Sequence, residues 1–396
     1  MQNILVIGYN NRNIVCSARR AGYNVCSIDA FRSLDLQECA YASALLEHKA
    51  EPKLIELDVS KIKAQMVAFG LEFDAIVPGS GTEMFDHNCF SCPVLASSPE
   101  NKQKASNKKY LSKRLEALSI SHPNFYSLDE IDAIEYPVIV KPAFSSGGLF
   151  NRIARDKQEL FSVLVNLCSL CHRRLDLEFM AETVVIQDFL EGIPSSVSLL
   201  STKKEALSVA VNEQLIGIPW LSRLPFAYCG NITPFRTDQA EEMEALAEEL
   251  ILDFKLLGSN GVDFLVTEAG PIVLEINPRF QGSFDTIEKA MNINLFEAHV
   301  GCFRGELPSK PKANCFAARG IIYSDRELFI DRQLLAAILR EKGADIPPQG
   351  TNVWPDWFLT SLFSCTSTRE DTILSLEKGA KRIKTFIECK TKISSS

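Results

Sequence analysis

Two carboxylates stand inside apolar runs in the middle of the chain, and any fold of this sequence must accommodate them. Asp263 lies in Gly261-Val-Asp-Phe-Leu-Val266 and Glu275 in Ile272-Val-Leu-Glu-Ile-Asn-Pro-Arg279, with Glu268-Ala-Gly-Pro271 between. Two apolar runs flanking a Gly-Pro turn read as a β-hairpin. Strand side chains alternate faces, so Glu275 and Asn277 share one face, and Asp263 on the partner strand can turn to it. Arg279, two residues beyond Asn277, is expected on the same side. A lone buried carboxylate is costly. Two carboxylates and an amide oxygen on one patch are hard oxygen ligands suited to Mg²⁺ held together with phosphates. Arg279 could then grip a phosphoryl oxygen or a substrate carboxylate through two parallel hydrogen bonds. The alternative is a hairpin whose acids face solvent.

A second feature sits upstream. Tyr136-Pro-Val-Ile-Val-Lys-Pro142 reads as a short buried strand with Lys141 near its end, followed by Ala143-Phe-Ser-Ser-Gly-Gly-Leu149. Alone, Lys141 would be expected to reach for solvent along its aliphatic stem. With Ser145, Ser146, Gly147 and Gly148 beside it, Lys141 becomes a candidate phosphate lysine. Glycines let backbone N–H groups approach phosphate oxygens, and serines add hydroxyl donors. The loop is not the P-loop, which needs Gly-x4-Gly-Lys-Ser/Thr. It can act as a lid over phosphates or as a plain strand-to-strand turn.

The amino terminus reads as β-α-β: an apolar strand at 3–7, the turn Gly8-Tyr-Asn-Asn-Arg-Asn13, a helix stopping at Ala21-Gly22, and a strand at 24–28 ending at Asp29. A further strand is expected within 71–77. This alternation implies a parallel sheet whose ligand crevice lies at the carboxyl ends of its strands. The three-glycine dinucleotide fingerprint is missing after the first strand, which argues against hydride transfer. The first domain is expected to end near residue 97, before a polar stretch. Further on, the pattern gives a helix at 156–173 and strands at 181–190 and 195–201. The fold class is therefore α/β followed by α+β lobes.

The charge balance, 42 basic against 50 acidic residues for a net −8, disfavours a dedicated polyanion binder such as a nucleic-acid protein. No apolar run approaches the length needed to cross a bilayer, and the first residues enter a strand without a signal-peptide pattern. A cytoplasmic protein is expected, compatible with a homodimer. Of the twelve cysteines, Cys89 and Cys92, and Cys168 and Cys171, form Cys-x-x-Cys pairs. The 75 residues between the pairs (167 − 92) far exceed the spacing of compact zinc motifs, and reduced core thiols are the expectation.

Together, YPVIVKP with SSGG and the acid-x-Asn-x-Arg strand resemble the ATP-grasp ligases, particularly the branch around biotin carboxylase. The resemblance implies a Rossmann-like domain at 1–97, two nucleotide-binding lobes at 98–302 with a small lobe at about 136–198, and a carboxyl-terminal lobe at 303–396. It implies ATP bound between the lobes with Mg²⁺, or Mn²⁺ in its place. Lys141 and the loop 145–148 would contact phosphates. Lys108 would be a second nucleotide lysine, although Lys109 beside it leaves that position open by one. Gln187 and the backbone of Phe189 and Leu190 would recognise adenine. Asp263, Glu275 and Asn277 would hold metal, and Arg279 would stabilise transferred phosphate. The activity implied is an ADP-forming ligase that joins a small carboxylate to an amine through an acyl phosphate, with bicarbonate-dependent carboxylation or a non-catalytic nucleotide-binding role as alternatives. Arg12, in the first turn, and Arg319, in CFAARGIIY, are candidates to orient the carboxylate substrate, or else to form a structural salt bridge or a surface charge. The ribose contact is unassigned because Pro194-Ser-Ser-Val197 fills the stretch where the family often places an acid or a histidine.

Overall fold

The computed structural model describes residues 2–46, 58–82, 86–142, 147–170 and 184–394. The opening strand, β1 (Asn3–Gly8), is followed by α1 (Arg12–Arg20), β2 (Asn24–Asp29), α2 (Leu34–Cys39), β3 (Ala42–Leu45), α3 (Val59–Ala68) and β4 (Ala75–Pro78). These strands form a parallel sheet in the order β3-β2-β1-β4. Helix α1 stops at Ala21 because Gly22 adopts φ +90°, a left-handed conformation that costs glycine nothing. The strand expected from residue 71 starts only at Ala75. Asp74 instead turns its carboxylate to the N–H groups of Gln2 and Asn3, which ends the ladder.

Helix α4 (Pro99–Ser106) and helix α5 (Lys108–Ala117) lead into a small antiparallel sheet built from β5 (Phe125–Tyr126), β6 (Val138–Pro142), β7 (Arg152–Ala154) and β8 (Val184–Asp188), with α6 (Lys157–Leu170) against it. Asn107 caps α5 through the N–H groups of Lys109 and Tyr110, which fixes where Lys108 begins the helix. The expected helix and strand ends at 171–173 and 181–183 lie outside the described residues.

A seven-stranded antiparallel sheet carries the rest. It uses β9 (Ile193–Ser201), β10 (Ala206–Ile216), β11 (Tyr228–Thr233), β12 (Gly258–Thr267) and β13 (Gly270–Asn277), with α7 (Ala240–Asp253), α8 (Phe284–Met291) and α9 (Leu295–Arg304) packed on it. Next come β14 (Phe316–Tyr323), the short pair β15 (Leu328–Phe329) and β16 (Asn352–Val353) around α10 (Arg332–Arg340), then β17 (Phe358–Thr366) and α11 (Arg369–Ser394). The order β13-β12-β9-β10-β11-β14-β17 means that the carboxyl-terminal segment extends the large sheet.

The amino-terminal domain is fastened by its core. Ile4, Val6, Ile14 and Val15 lie in one buried cluster with Phe284, Ile287, Phe296 and Val300. Each such side chain contributes roughly 1.5–3 kcal/mol on burial, so α1, α8 and α9 hold the crevice of the first sheet against the large one. The cysteines need one correction. Cys26, Cys229 and Cys302 are buried thiols, but Cys16 of α1 and Cys39 of α2 form a disulfide. The expectation of thiols rested on compartment; the two helices bring these sulfurs together regardless. Cys89 and Cys92 are free, Cys171 and the Cys168 side chain lie outside the described residues, and among the described residues no cluster of three or more His, Cys, Asp or Glu could hold a metal. Nor is any described helix long and apolar enough to cross a membrane.

Candidate active site

The hairpin β12–β13 places Asp263 directly opposite Glu275 in the register, with a bulge immediately after Asp263. Asn277 bridges the two: its Nδ2 donates to Asp263 Oδ2 at 3.0 Å and to Glu275 Oε1 at 3.4 Å. Its Oδ1 accepts from Arg279 at 3.2 Å. Arg279 does not share the strand face by alternation as expected. The strand ends at Asn277, and the Arg279 N–H folds back onto the Asn277 carbonyl, so its guanidinium arrives from the loop.

Two lysines close on the carboxylates. Lys108, the first residue of α5, places Nζ 3.2 Å from Glu275 Oε2. Lys141 comes from β6 in the small sheet, and burial pulls it down to about 8, against the attraction of Glu275 and Asp263. Burial pushes Asp263 well above the usual carboxylate range, and facing Glu275 pushes it further. Burial opposes ionisation of Glu275 too, but Lys108 and Lys141 outweigh it and hold that carboxyl below its ordinary value. The hairpin therefore carries one ionised carboxylate and a neighbour that resists ionising beside it. A divalent cation removes that conflict, so the donor set fits Mg²⁺. Asp263 and Glu275 offer oxygens to such an ion, and Asn277 turns its nitrogen to the pair.

The small sheet supplies the opposite wall. Gln187 is buried in β8, opposite Ile139 and Phe125. Next to it, Asp188 accepts from Tyr126 Oη at 2.6 Å and from Asn124 N–H, which pins the strand end. The Phe189 N–H donates to the Pro137 carbonyl, so the Phe189 carbonyl, rather than its N–H, is the group that can meet a base. Phe189 packs edge-on against Phe226 of the large lobe, with ring centroids 6.4 Å apart. Gly147 and Gly148 both take left-handed φ, +76° and +71°. The Gly147 carbonyl accepts from Tyr228 N–H at 2.9 Å, and a Cβ on Gly148 would meet the Phe226 carbonyl at 2.0 Å. The loop end lies against the large lobe, and no other residue fits at 148. Ser145 and Ser146 lie outside the described residues.

Arg12 and Arg319 sit apart from this group. Arg12 makes two hydrogen bonds to Asp285, at 2.8 and 2.6 Å, and a third to Asp345 at 3.0 Å, with Asp35 at 3.6 Å. Arg319 reaches Asp345 at 2.8 Å, Ser361 at 3.0 Å and the Gly282 carbonyl at 3.4 Å. Both guanidiniums are buried and engaged by protein carboxylates, so the structure supplies the salt-bridge alternative for both. The physical reason is Asp345: burial resists its ionisation, yet the two arginines hold it far below the ordinary carboxylate range.

The sheet also reveals residues not singled out in the sequence. Gln214 of β10 donates to Asp263 Oδ1 at 3.0 Å. Gln281, just past Arg279, lies against Gly261 so closely that a Cβ there would fall 1.7 Å from its Nε2, and its Oε1 accepts from Ser198 at 2.5 Å. Ser196 stands opposite Asp263, and Asn212 bonds to both Ser196 and Ser198. Polar side chains thus continue across one face of the sheet from the carboxylates inward. The available signal was alternation, Ser196-Val-Ser198 and Asn212-Glu-Gln214 within apolar strands.

Residues 105–283 match the ATP-grasp domain family. Over 309 residues the chain is 26% identical to an uncharacterized protein of Methanocaldococcus jannaschii, covering 74% of this chain and 71% of that one. Over 217 residues it is 28% identical to the carbamoyl phosphate synthase large chain of Pyrococcus furiosus, covering 52% of this chain but only 19% of that much longer protein. Among solved structures, biotin carboxylase from Campylobacter jejuni superposes with TM-score 0.71 at 16% identity, over 94% of this chain and 89% of that one. N5-carboxyaminoimidazole synthase from Aspergillus clavatus, solved with ADP and 5-aminoimidazole ribonucleotide, gives 0.72 at 14% identity, over 97% and 99%. Over residues 105–283 the chain is thus similar to ATP-grasp domains, and the superpositions show the same fold over nearly its whole length.

Proposed function

We propose that this chain activates a small-molecule carboxylate as an acyl phosphate with MgATP and joins it to an amine, releasing ADP and phosphate. The carrying observation is the opposition of Asp263 and Glu275 across one hairpin, with Lys108 on Glu275 and half-buried Lys141 within the field of both. Lys108, Lys141 and Arg279 outnumber the carboxylates they face, and Asp263 resists ionising, so the surplus of positive charge favours a polyphosphate.

Asp263 and Glu275 would hold Mg²⁺, which supplies neutralisation of charge on the transferring phosphoryl group. The protein's own part is positioning. Lys141 and the backbone of the 145–148 loop hold phosphates, Lys108 adds charge from α5, and Arg279 faces the charge that develops on the transferred group. The Gln187, Phe189 and Leu190 segment, beside Phe226, takes the base. In the first step a carboxylate oxygen bonds to the γ-phosphorus as the β–γ bridging oxygen leaves on ADP. In the second, the amine attacks the acyl carbon, loses a proton and expels phosphate. No side-chain nucleophile is needed. Domain limits at 97 and 302 belong to the same proposal, with the substrate end between the first sheet's crevice and the hairpin.

The test is product analysis with purified protein, MgATP and pooled carboxylates, bicarbonate included, with and without pooled amines. ADP and phosphate should appear in equal amounts, and only with both pools present. AMP with pyrophosphate, or ADP formation independent of any carboxylate, would overturn the reading.

A further inference from the structure

Strand β17 is an edge of the large sheet, and its end carries Cys365, opposite Ala317 in the β14 register. Cys315 immediately precedes β14, on the diagonal from Cys365. The two Sγ atoms lie 2.7 Å apart, closer than two unbonded sulfurs ordinarily approach, although the residues are 50 apart in sequence. Cys365 is exposed and Cys315 half-buried, so a small-molecule reagent can reach the pair. Neither thiol belongs to the phosphate site or to its hairpin. We propose that Cys315 and Cys365 form a reversible dithiol–disulfide site, oxidised by exchange with a low-molecular-weight disulfide.

The geometry assigns an order to the steps. Cys365 is the accessible sulfur, so its thiolate attacks one sulfur of the incoming disulfide; the new bond is a mixed disulfide, and the first small thiolate leaves. Cys315 then attacks Cys365 Sγ, forming the Cys315–Cys365 bond and expelling the second small thiolate. The two protein thiols lose two electrons and two protons; the reagent's disulfide takes the electrons and its two thiolates take the protons. Burial pushes the Cys315 thiol up to about 11, and the neighbouring Cys365 adds to that. The second contribution disappears once Cys365 is in the mixed disulfide, and the nearby Lys289 ammonium favours the Cys315 thiolate. Cys315 is thus a poor first nucleophile and an adequate second one.

The location gives the bond a structural meaning. Cys365 shares a strand face with Phe363 and Ser361. Phe363 lies under Lys289 and Arg12, with the cations 5.2 and 5.6 Å from its ring centroid, and Ser361 accepts from Arg319. Closing the bond ties the edge strand to β14 beside the Arg12–Asp345–Arg319 cluster.

The experiment incubates the full chain with oxidised glutathione, blocks remaining thiols with an alkylating reagent, and maps peptides by mass spectrometry. The expected product is a Cys315–Cys365 cross-linked peptide pair, lighter by about 2 Da than the two reduced peptides and cleaved by dithiothreitol. In Cys315→Ser, Cys365 should instead accumulate as a stable glutathione adduct, because the resolving thiol is gone. Full alkylation of both cysteines after oxidation would overturn the proposal. So would a persistent glutathione adduct on Cys365 in the unmodified chain. Protection from alkylation that is reversed by EDTA without a mass change would make the pair a metal site instead.

Discussion

Both ends of the large sheet gather carboxylates and basic side chains, and they treat them in opposite ways. At β14, Arg12 and Arg319 enclose Asp345, Asp285 takes the remaining fork of Arg12, and the carboxyl of Asp345 is held firmly ionised. At β12–β13, Asp263 and Glu275 face each other, amide nitrogens of Gln214 and Asn277 stand in for cations, and Asp263 resists ionisation. The first cluster is complete with protein atoms alone; the second becomes balanced only when a cation and an anion arrive. Burial of charge therefore does not by itself mark a site. An imbalance that a ligand would cure does, and it separates these two regions.

The largest expected effect falls on the complete cluster. Arg12→Met strands Asp285 and loosens Asp345 in a buried setting, and should cost about 3–5 kcal/mol of stability by urea denaturation. A loss below about 1 kcal/mol would show that the cluster is not structural and would break the contrast. Next is Glu275→Gln, which should leave the denaturation midpoint nearly unchanged while ADP formation falls roughly 10²- to 10³-fold. Wild-type turnover in that variant would remove the hairpin from the chemistry.

How much of this contrast could be read in advance depended on distance along the chain. The hairpin was legible because its carboxylates stand 12 residues apart, 275 − 263, around a turn, and strand periodicity fixes their faces. Lys141 was legible for a similar reason, a buried strand running into serines and glycines. The partners of Arg12 lie 273 and 333 residues away, and no local pattern announces pairs formed by the packing of α1 on α8 and by the extension of the sheet. Gln214 and Gln281 looked like ordinary polar residues, because a neutral amide in an apolar strand carries no charge cost large enough to stand out. The Cys16–Cys39 disulfide was missed because compartment, rather than helix packing, was used to judge it.

A smaller effect sharpens the comparison through pH. Burial lets Lys141 lose its proton near pH 8, whereas phosphates need it charged. Nucleotide affinity should hold below that pH and fall by about tenfold per pH unit above it, with proton uptake on binding measured by calorimetry in buffers of different ionisation enthalpy. Lys141→Arg, charged throughout, should flatten the slope; an unchanged slope would point to another group. The smallest effect is expected for Arg319→Lys. It keeps one contact to Asp345 but loses Ser361, costing about 1 kcal/mol, with the KM values for ATP and the carboxylate unmoved. A rise in the carboxylate KM alone would place Arg319 at the substrate after all.

The extension of the large sheet by β14 and β17 has a mechanical consequence. Seven hydrogen-bonded strands, braced by α7, α8, α9 and α11, behave as one stiff plate that includes both the carboxylate hairpin and the arginine cluster. Against that plate the small sheet is a separate leaf. The described contacts between them include the hydrogen bond from Tyr228 to Gly147, Gly148 against the Phe226 carbonyl, Leu149 on the core of the large sheet, and the edge of Phe189 on Phe226. On the proposed function, movement of the leaf would govern how quickly spent nucleotide leaves, while the plate would keep the reacting groups in register from one turnover to the next.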